Sequence, residues 1–116
     1  MSGKINNNII TVRQGDSFAL NLQINDENGP VDLSQAELSM QVRNTNDALM
    51  FEVIGTKVDS VNGKMVLLIT PEQTNIAVGN YKCDIQLVGA DGSVNTIFPA
   101  DINQTGAFVV TEQVTR

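Results

Sequence analysis

The chain has 116 residues, with one Tyr, one Cys, no Trp and no His, and a formal charge of −6 with a pI near 4.3. Without histidine it lacks the usual near-neutral proton shuttle and the commonest nitrogen ligand for metals. The acidic balance leaves no basic stripe to release counterions from a phosphate backbone, so triads, most zinc sites and nucleic-acid binding drop out, and no cofactor is expected.

One domain spanning 1–116 fits this length and should bury about two-thirds of the surface its unfolded chain exposes. No run approaches the ~20 apolar residues that cross a bilayer, so no membrane partner is expected. Met1-Ser2-Gly3-Lys4 leads into Asn6-Asn7-Asn8 and not into a signal-peptide hydrophobic stretch, so synthesis as a soluble cytoplasmic chain is the expectation.

Taken in chain order, Ile9 to Arg13 reads as a first strand, closed by the turn Gln14-Gly15-Asp16. Phe18, Leu20, Leu22 and Ile24 then alternate with Ala19, Asn21, Gln23 and Asn25, the period of a half-buried strand. Asp26 to Pro30 reads as a turn. Asn25, Asp26, Glu27, Asn28 and Asp32 make the densest oxygen cluster, but they lack the ordered ligand spacing and closing Glu of an EF-hand, and a solvated turn accounts for them. Ala36, Leu38, Met40 and Val42 alternate with Glu37, Ser39, Gln41 and Arg43, and Leu49 to Ile54 follows as a shorter strand with Phe51 and Val53.

Asn62-Gly63 precedes the strand Lys64 to Thr70, where Met65, Leu67 and Ile69 fill an inward face. That alternation leaves Val66 and Leu68 pointing outward together. Two readings stay open: a contact patch for another subunit, or cover from a neighbouring loop or terminal segment. Thr70-Pro71-Glu72-Gln73 has an N-cap candidate, a proline at the first helical position and Gln at N3, which predicts one helical turn over Pro71 to Asn75.

Gly79 opens the next strand, in which Tyr81, Cys83, Ile85 and Leu87 share one face. A tyrosine two residues before a cysteine at a strand start is the trace of a tyrosine corner, whose phenol hydrogen-bonds back across the preceding loop. Cys83 then reads as a buried small hydrophobe, and no internal disulfide is available to it. Asp91-Gly92 marks a hairpin turn before Ser93 to Phe98. Pro99 to Thr105, with the formal sequon Asn103-Gln104-Thr105, suits a connector or bulged excursion before the closing strand Gly106 to Thr111. These signals together predict an all-β, immunoglobulin-like antiparallel sandwich of about seven to nine strands, with consecutive strands mostly antiparallel neighbours.

The ordered set Gln14-Gly15-Asp16-Ser17-Phe18, Gly29 to Ser34, Gly63 to Thr74, Gly79 to Gln86, Asp91 to Val94, Gly106 to Val110 and Val114-Thr115-Arg116 resembles the immunoglobulin-like domain at the N-terminus of tailed-phage upper baseplate proteins and small related phage structural proteins. The resemblance runs over nearly the whole chain, although Pro99 to Thr105 is inserted where that family passes directly to its closing strand. Ending at Arg116, the chain also lacks the long extension that family carries, and a free-standing virion component is expected.

What the resemblance implies is a non-enzymatic virion structural protein, made in the bacterial host cytoplasm, docking on other virion proteins of tail, baseplate or capsid. A homo-oligomer is one arrangement this allows. Val66 and Leu68 are the candidate interface and Tyr81 the structural corner, with no catalytic, cofactor or metal residues expected. The alternatives are capsid decoration, a host-surface carbohydrate-binding adhesin, which 4% aromatic content disfavours, and a hydrolase using carboxylates of the Asp26 to Asp32 loop.

Overall fold

The computed structural model of the protein describes residues 3–6, 8–99 and 105–112. Among them, the period-two segments become β2 (Ile9–Arg13), β3 (Phe18–Gln23), β6 (Glu37–Arg43), β7 (Leu49–Ile54), β9 (Lys64–Ile69), β10 (Gly79–Val88), β11 (Val94–Phe98) and β12 (Gly106–Thr111). Four further strands were not expected: β1 (Gly3–Asn6), the two-residue pair β4 (Asn25–Asp26) and β5 (Gly29–Pro30), and β8 (Thr56–Asp59). One helical turn, α1 (Pro71–Thr74), joins β9 to β10.

The strands form a large sheet in the order β1-β2-β12-β10-β6-β7, with β11 also on β10, and a small sheet in the order β3-β9-β8, a sandwich-like all-β fold. Between them lie Ile10, Val12, Phe18, Leu38, Met40, Val42, Met65, Leu67, Ile69, Ile85, Phe108 and Val110, all buried. Fully burying one such side chain is worth about 1.5–3 kcal/mol, so this aliphatic core is the main favourable term. Phe51 meets Phe108 edge to face, with ring centroids 5.7 Å apart and planes at 78°.

Strand β10 carries two partners along one edge. Its first half, Gly79 to Cys83, pairs with β12, and its second half, from Ile85, pairs with β11. The chain therefore leaves this edge after Phe98 and returns to it at Gly106. At Gly106 a Cβ atom would lie 2.3 Å from the Cys83 carbonyl oxygen, so only glycine fits that return without a shift. The intervening 100–104, the sequon at Asn103 and the motif Val114-Thr115-Arg116 lie outside the described residues.

Two relations depart from the pattern of antiparallel sequence neighbours. Gln14-Gly15-Asp16 does not close a hairpin, because β2 lies in the large sheet and β3 in the small one. Not all pairing is antiparallel either: β2 runs parallel to β12, with Ile10 opposite Phe108. Both strands run in the same direction along the sheet and come from opposite ends of the sequence, a relation that local turn chemistry does not encode. The Asp91-Gly92 turn does join antiparallel neighbours, β10 and β11.

Candidate functional site

Strand β9 places Met65, Leu67 and Ile69 in the core and turns Lys64, Val66 and Leu68 to the outer side of the small sheet. Leu68 is 54% exposed, whereas Val66 is 9% exposed. The two are therefore not equivalent: both point outward, as the alternation predicts, but only Leu68 is left exposed. The register gives the reason. Val66 lies between Asn21 of β3 and Thr56, the first residue of β8, whereas Leu68 lies beyond the end of β8 with only Ala19 opposite it. Ile54, at the end of β7 where that strand approaches β9, is 62% exposed and was not singled out by sequence reasoning. Strands β3 and β9 contain no Asp or Glu, in a chain with thirteen such residues.

The corner after β9 is held by side chains. Thr70 Oγ1 accepts from the Gln73 amide at 3.2 Å and Gln73 Oε1 accepts from the Thr70 amide at 2.9 Å, a complete capping box. Thr74, fully buried, donates its hydroxyl to the Asp16 carbonyl at 2.7 Å, and Gln14 Nε2 donates to the Ile76 carbonyl at 2.9 Å. These bonds tie the β9–β10 connection to the β2–β3 turn. Tyr81 Oη donates to the Ala77 carbonyl at 2.5 Å, spanning the loop ahead of its own strand. Two residues on, burial and the neighbouring Asp84 carboxylate push the Cys83 thiol up to about 12, which keeps it protonated and inert at neutral pH.

The oxygen-rich loop does not converge on a centre. Asp26 Oδ1 accepts from the Asn28 amide at 2.8 Å, and Asp32 Oδ1 accepts from the Ser34 amide at 2.9 Å. The backbone and then the side chain of Ser34 hold the Asp32 carboxyl below its ordinary value. These are local Asx turns, and among the described residues no three His, Cys, Asp or Glu side chains gather. A cleft of about 320 Å³ opens on the outer face of the large sheet, lined by Gln41, Arg43, Asp47, Lys82, Asp84 and Thr96, among others. Two of its charges pair, Lys82 Nζ with Asp47 Oδ1 at 3.2 Å, and Arg43 donates to the Asp47 carbonyl at 3.0 Å and to Gln41 Oε1 at 2.9 Å.

A family model described as the BppU N-terminal domain, the N-terminal domain of a phage baseplate upper protein, matches residues 2–99. Among solved structures, the chain is similar to the crystal structure of CopC from Methylosinus trichosporium OB3b, with 16% identity and a TM-score of 0.52, covering 91% of this chain and 86% of that one. At that identity the likeness is one of fold alone. No curated protein matches the chain.

Proposed function

The chain belongs to the family of BppU N-terminal domains, and on that premise we propose that it is a non-enzymatic structural component of the phage baseplate that docks on neighbouring virion proteins through the outer face of the small sheet, with Leu68 at its centre. The observation that carries this reading is the family match over residues 2–99, which makes the protein a phage baseplate structural protein. Neither capsid decoration nor carbohydrate binding draws support from that match.

The choice of face rests on Leu68, exposed on strands whose residues, those of β3 and β9, include no carboxylates, with exposed Ile54 at the end of β7 where that strand nears β9. Exposed apolar side chains that a domain's own core does not use are a ready source of interface energy. Each contact can be small, because copies held in one particle act together and the second contact forms at high effective concentration. Val66, flanked by Asn21 and Thr56, offers little contact surface of its own.

The experiment is Leu68→Glu introduced into the phage. Copies of the protein per purified particle are counted by quantitative mass spectrometry, and an antibody label locates them by electron microscopy. The expected result is label at the tail end of wild-type particles and at least a tenfold drop in incorporated copies for the variant, in line with about 1.4 kcal/mol or more lost from the contact. Unchanged incorporation would remove Leu68 from the interface, and label on the head would overturn the baseplate reading itself.

A further inference from the structure

Natural sheets protect their open edges with charge, proline, bulges or covering groups, and among the described residues four of the five open edges of the two larger sheets follow that rule. β1 carries Lys4, and β8 carries Lys57 and Asp59 together with a bulge against β9. β7 carries Glu52, whose carbonyl accepts from Gln73 Nε2 at 3.4 Å. β11 is bulged against β10 and runs into Pro99. The fifth edge, β3, has none of these devices: Phe-Ala-Leu-Asn-Leu-Gln is uncharged, contains no proline, and keeps an unbroken register with β9.

The hydrogen-bonding phase of β3 fixes what this edge offers. Ile24, just past the strand, donates its N–H to the Gly63 carbonyl at 2.8 Å, in register with the β3–β9 ladder. Opposed residues in an antiparallel pair alternate between bonded and non-bonded, so Leu22, Leu20 and Phe18 direct their backbone groups at β9. Ala19, Asn21 and Gln23 direct theirs the other way, and among the described residues no strand lies on that side. Asn21 and Gln23 are exposed and Ala19 is half-buried, and Gln23 folds its own amide back to the Asn62 carbonyl at 2.7 Å, leaving the backbone edge clear.

We infer that β3 pairs with β3 of a second copy of this chain, antiparallel about a two-fold axis at Asn21, making one continuous sheet from two small ones. The set 19, 21, 23 is symmetric about 21, so the two-fold maps every outward donor onto an acceptor: Ala19 faces Gln23 of the second copy, and Asn21 faces its own equivalent. Each facing pair then exchanges both of its N–H···O bonds. Charge permits the same occupant. Two chains of −6 repel, and β3 with its neighbour β9 offers a carboxylate-free approach. A basic partner would be drawn instead to the acidic loops.

The test is the oligomeric state of the full chain by sedimentation over a concentration range up to about 1 mM, the weak limit of useful affinity, with Asn21→Lys and Asn21→Pro compared. Both substitutions sit on an exposed side chain, and the proline removes only an N–H that β9 does not use. The expected result is a wild-type monomer–dimer equilibrium that strengthens between about 0.05 and 0.5 M salt as the like charges are screened. Each variant should weaken it at least tenfold with unchanged circular dichroism. Amide exchange at Ala19, Asn21 and Gln23 should slow as concentration rises. A wild-type chain monomeric throughout overturns the inference, as does a dimer that survives Asn21→Lys, or one that Leu68→Glu alone dissolves. A monomeric chain whose β3 amides become protected only when another virion protein is added would assign the edge to that partner and likewise overturn self-pairing.

Discussion

Strands β9 and β10 follow one another in the chain, joined by α1 and packed in opposite sheets. Their inner faces are alike: Met65, Leu67 and Ile69 on one, Tyr81, Cys83 and Ile85 on the other, all buried. Their outer faces are not. β10 shows Asn80, Lys82, Asp84 and Gln86, with Lys82 paired to Asp47, a surface suited to water. β9 shows Lys64, Val66 and Leu68, of which the domain's own fold covers only Val66. The inner pattern specifies the sandwich, and the outer pattern is free to record what lies beyond it. An aliphatic residue left exposed on the outside of β9 but not of β10 therefore points to docking more than to folding.

That contrast is broken or sharpened most strongly by adjacent substitutions on β9. Leu67→Ala should destabilise the domain by about 2–5 kcal/mol, the cost of a cavity at a fully buried leucine. Leu68→Ala should stay within about 0.5 kcal/mol. Urea unfolding of both proteins measures the pair. Similar losses would mean that Leu68 is part of the core, and the docking face would lose its centre.

On β10 the corresponding probe is pH. The Cys83 thiol is pushed up to about 12 in the folded protein, chiefly by burial, while the unfolded chain ionises it at an ordinary thiol value. Its contribution is therefore complete below that ordinary value and is lost as pH rises toward 12. The slope in that window approaches about 1.4 kcal/mol per pH unit. Cys83→Ala should flatten the alkaline limb of stability against pH relative to wild type, and a thiol reagent should label Cys83 only as the domain unfolds. Rapid labelling of the native protein would show that β10 is less sealed than its inner face implies.

The same two strands show what the sequence does and does not carry. β10 is legible from local features alone: alternation, Gly79 at its entry, Tyr81 two residues before Cys83. The capping box at Thr70 and Gln73 is equally local. The burial of Val66 is not legible, because its flank is closed by β8, and Thr56 to Asp59, exposed throughout, show no alternation of their own. β8 becomes a strand through its pairing with β9, a relation absent from its residues. The strand β3 could be read from its period, yet its standing as an open edge depends on β2 joining β12 instead, a parallel pairing between segments nearly a chain length apart. Within the candidate site, Leu68 was legible and Ile54 was not, for Ile54 gains meaning only where β7 nears β9.

The smallest effect tests the corner that separates the two strands. Tyr81→Phe removes the donor to the Ala77 carbonyl and leaves the ring in the core, so only the hydrogen bond is lost. A buried carbonyl stripped of its donor costs about 1–3 kcal/mol, but one reached by water costs only the net worth of the bond, about 0.5–1.5 kcal/mol. Ala77 is exposed, so water can replace the phenol, and thermal or urea unfolding should place the loss toward the lower of these ranges. The loop ahead of β10 should also loosen, seen as faster amide exchange over 75–79 with Leu68 and its outer face unaffected. A loss above about 2 kcal/mol would instead mean that the phenol orders the whole connection from α1 to β10, and the corner would then govern how β9 and β10 are set against each other, not merely how β10 begins.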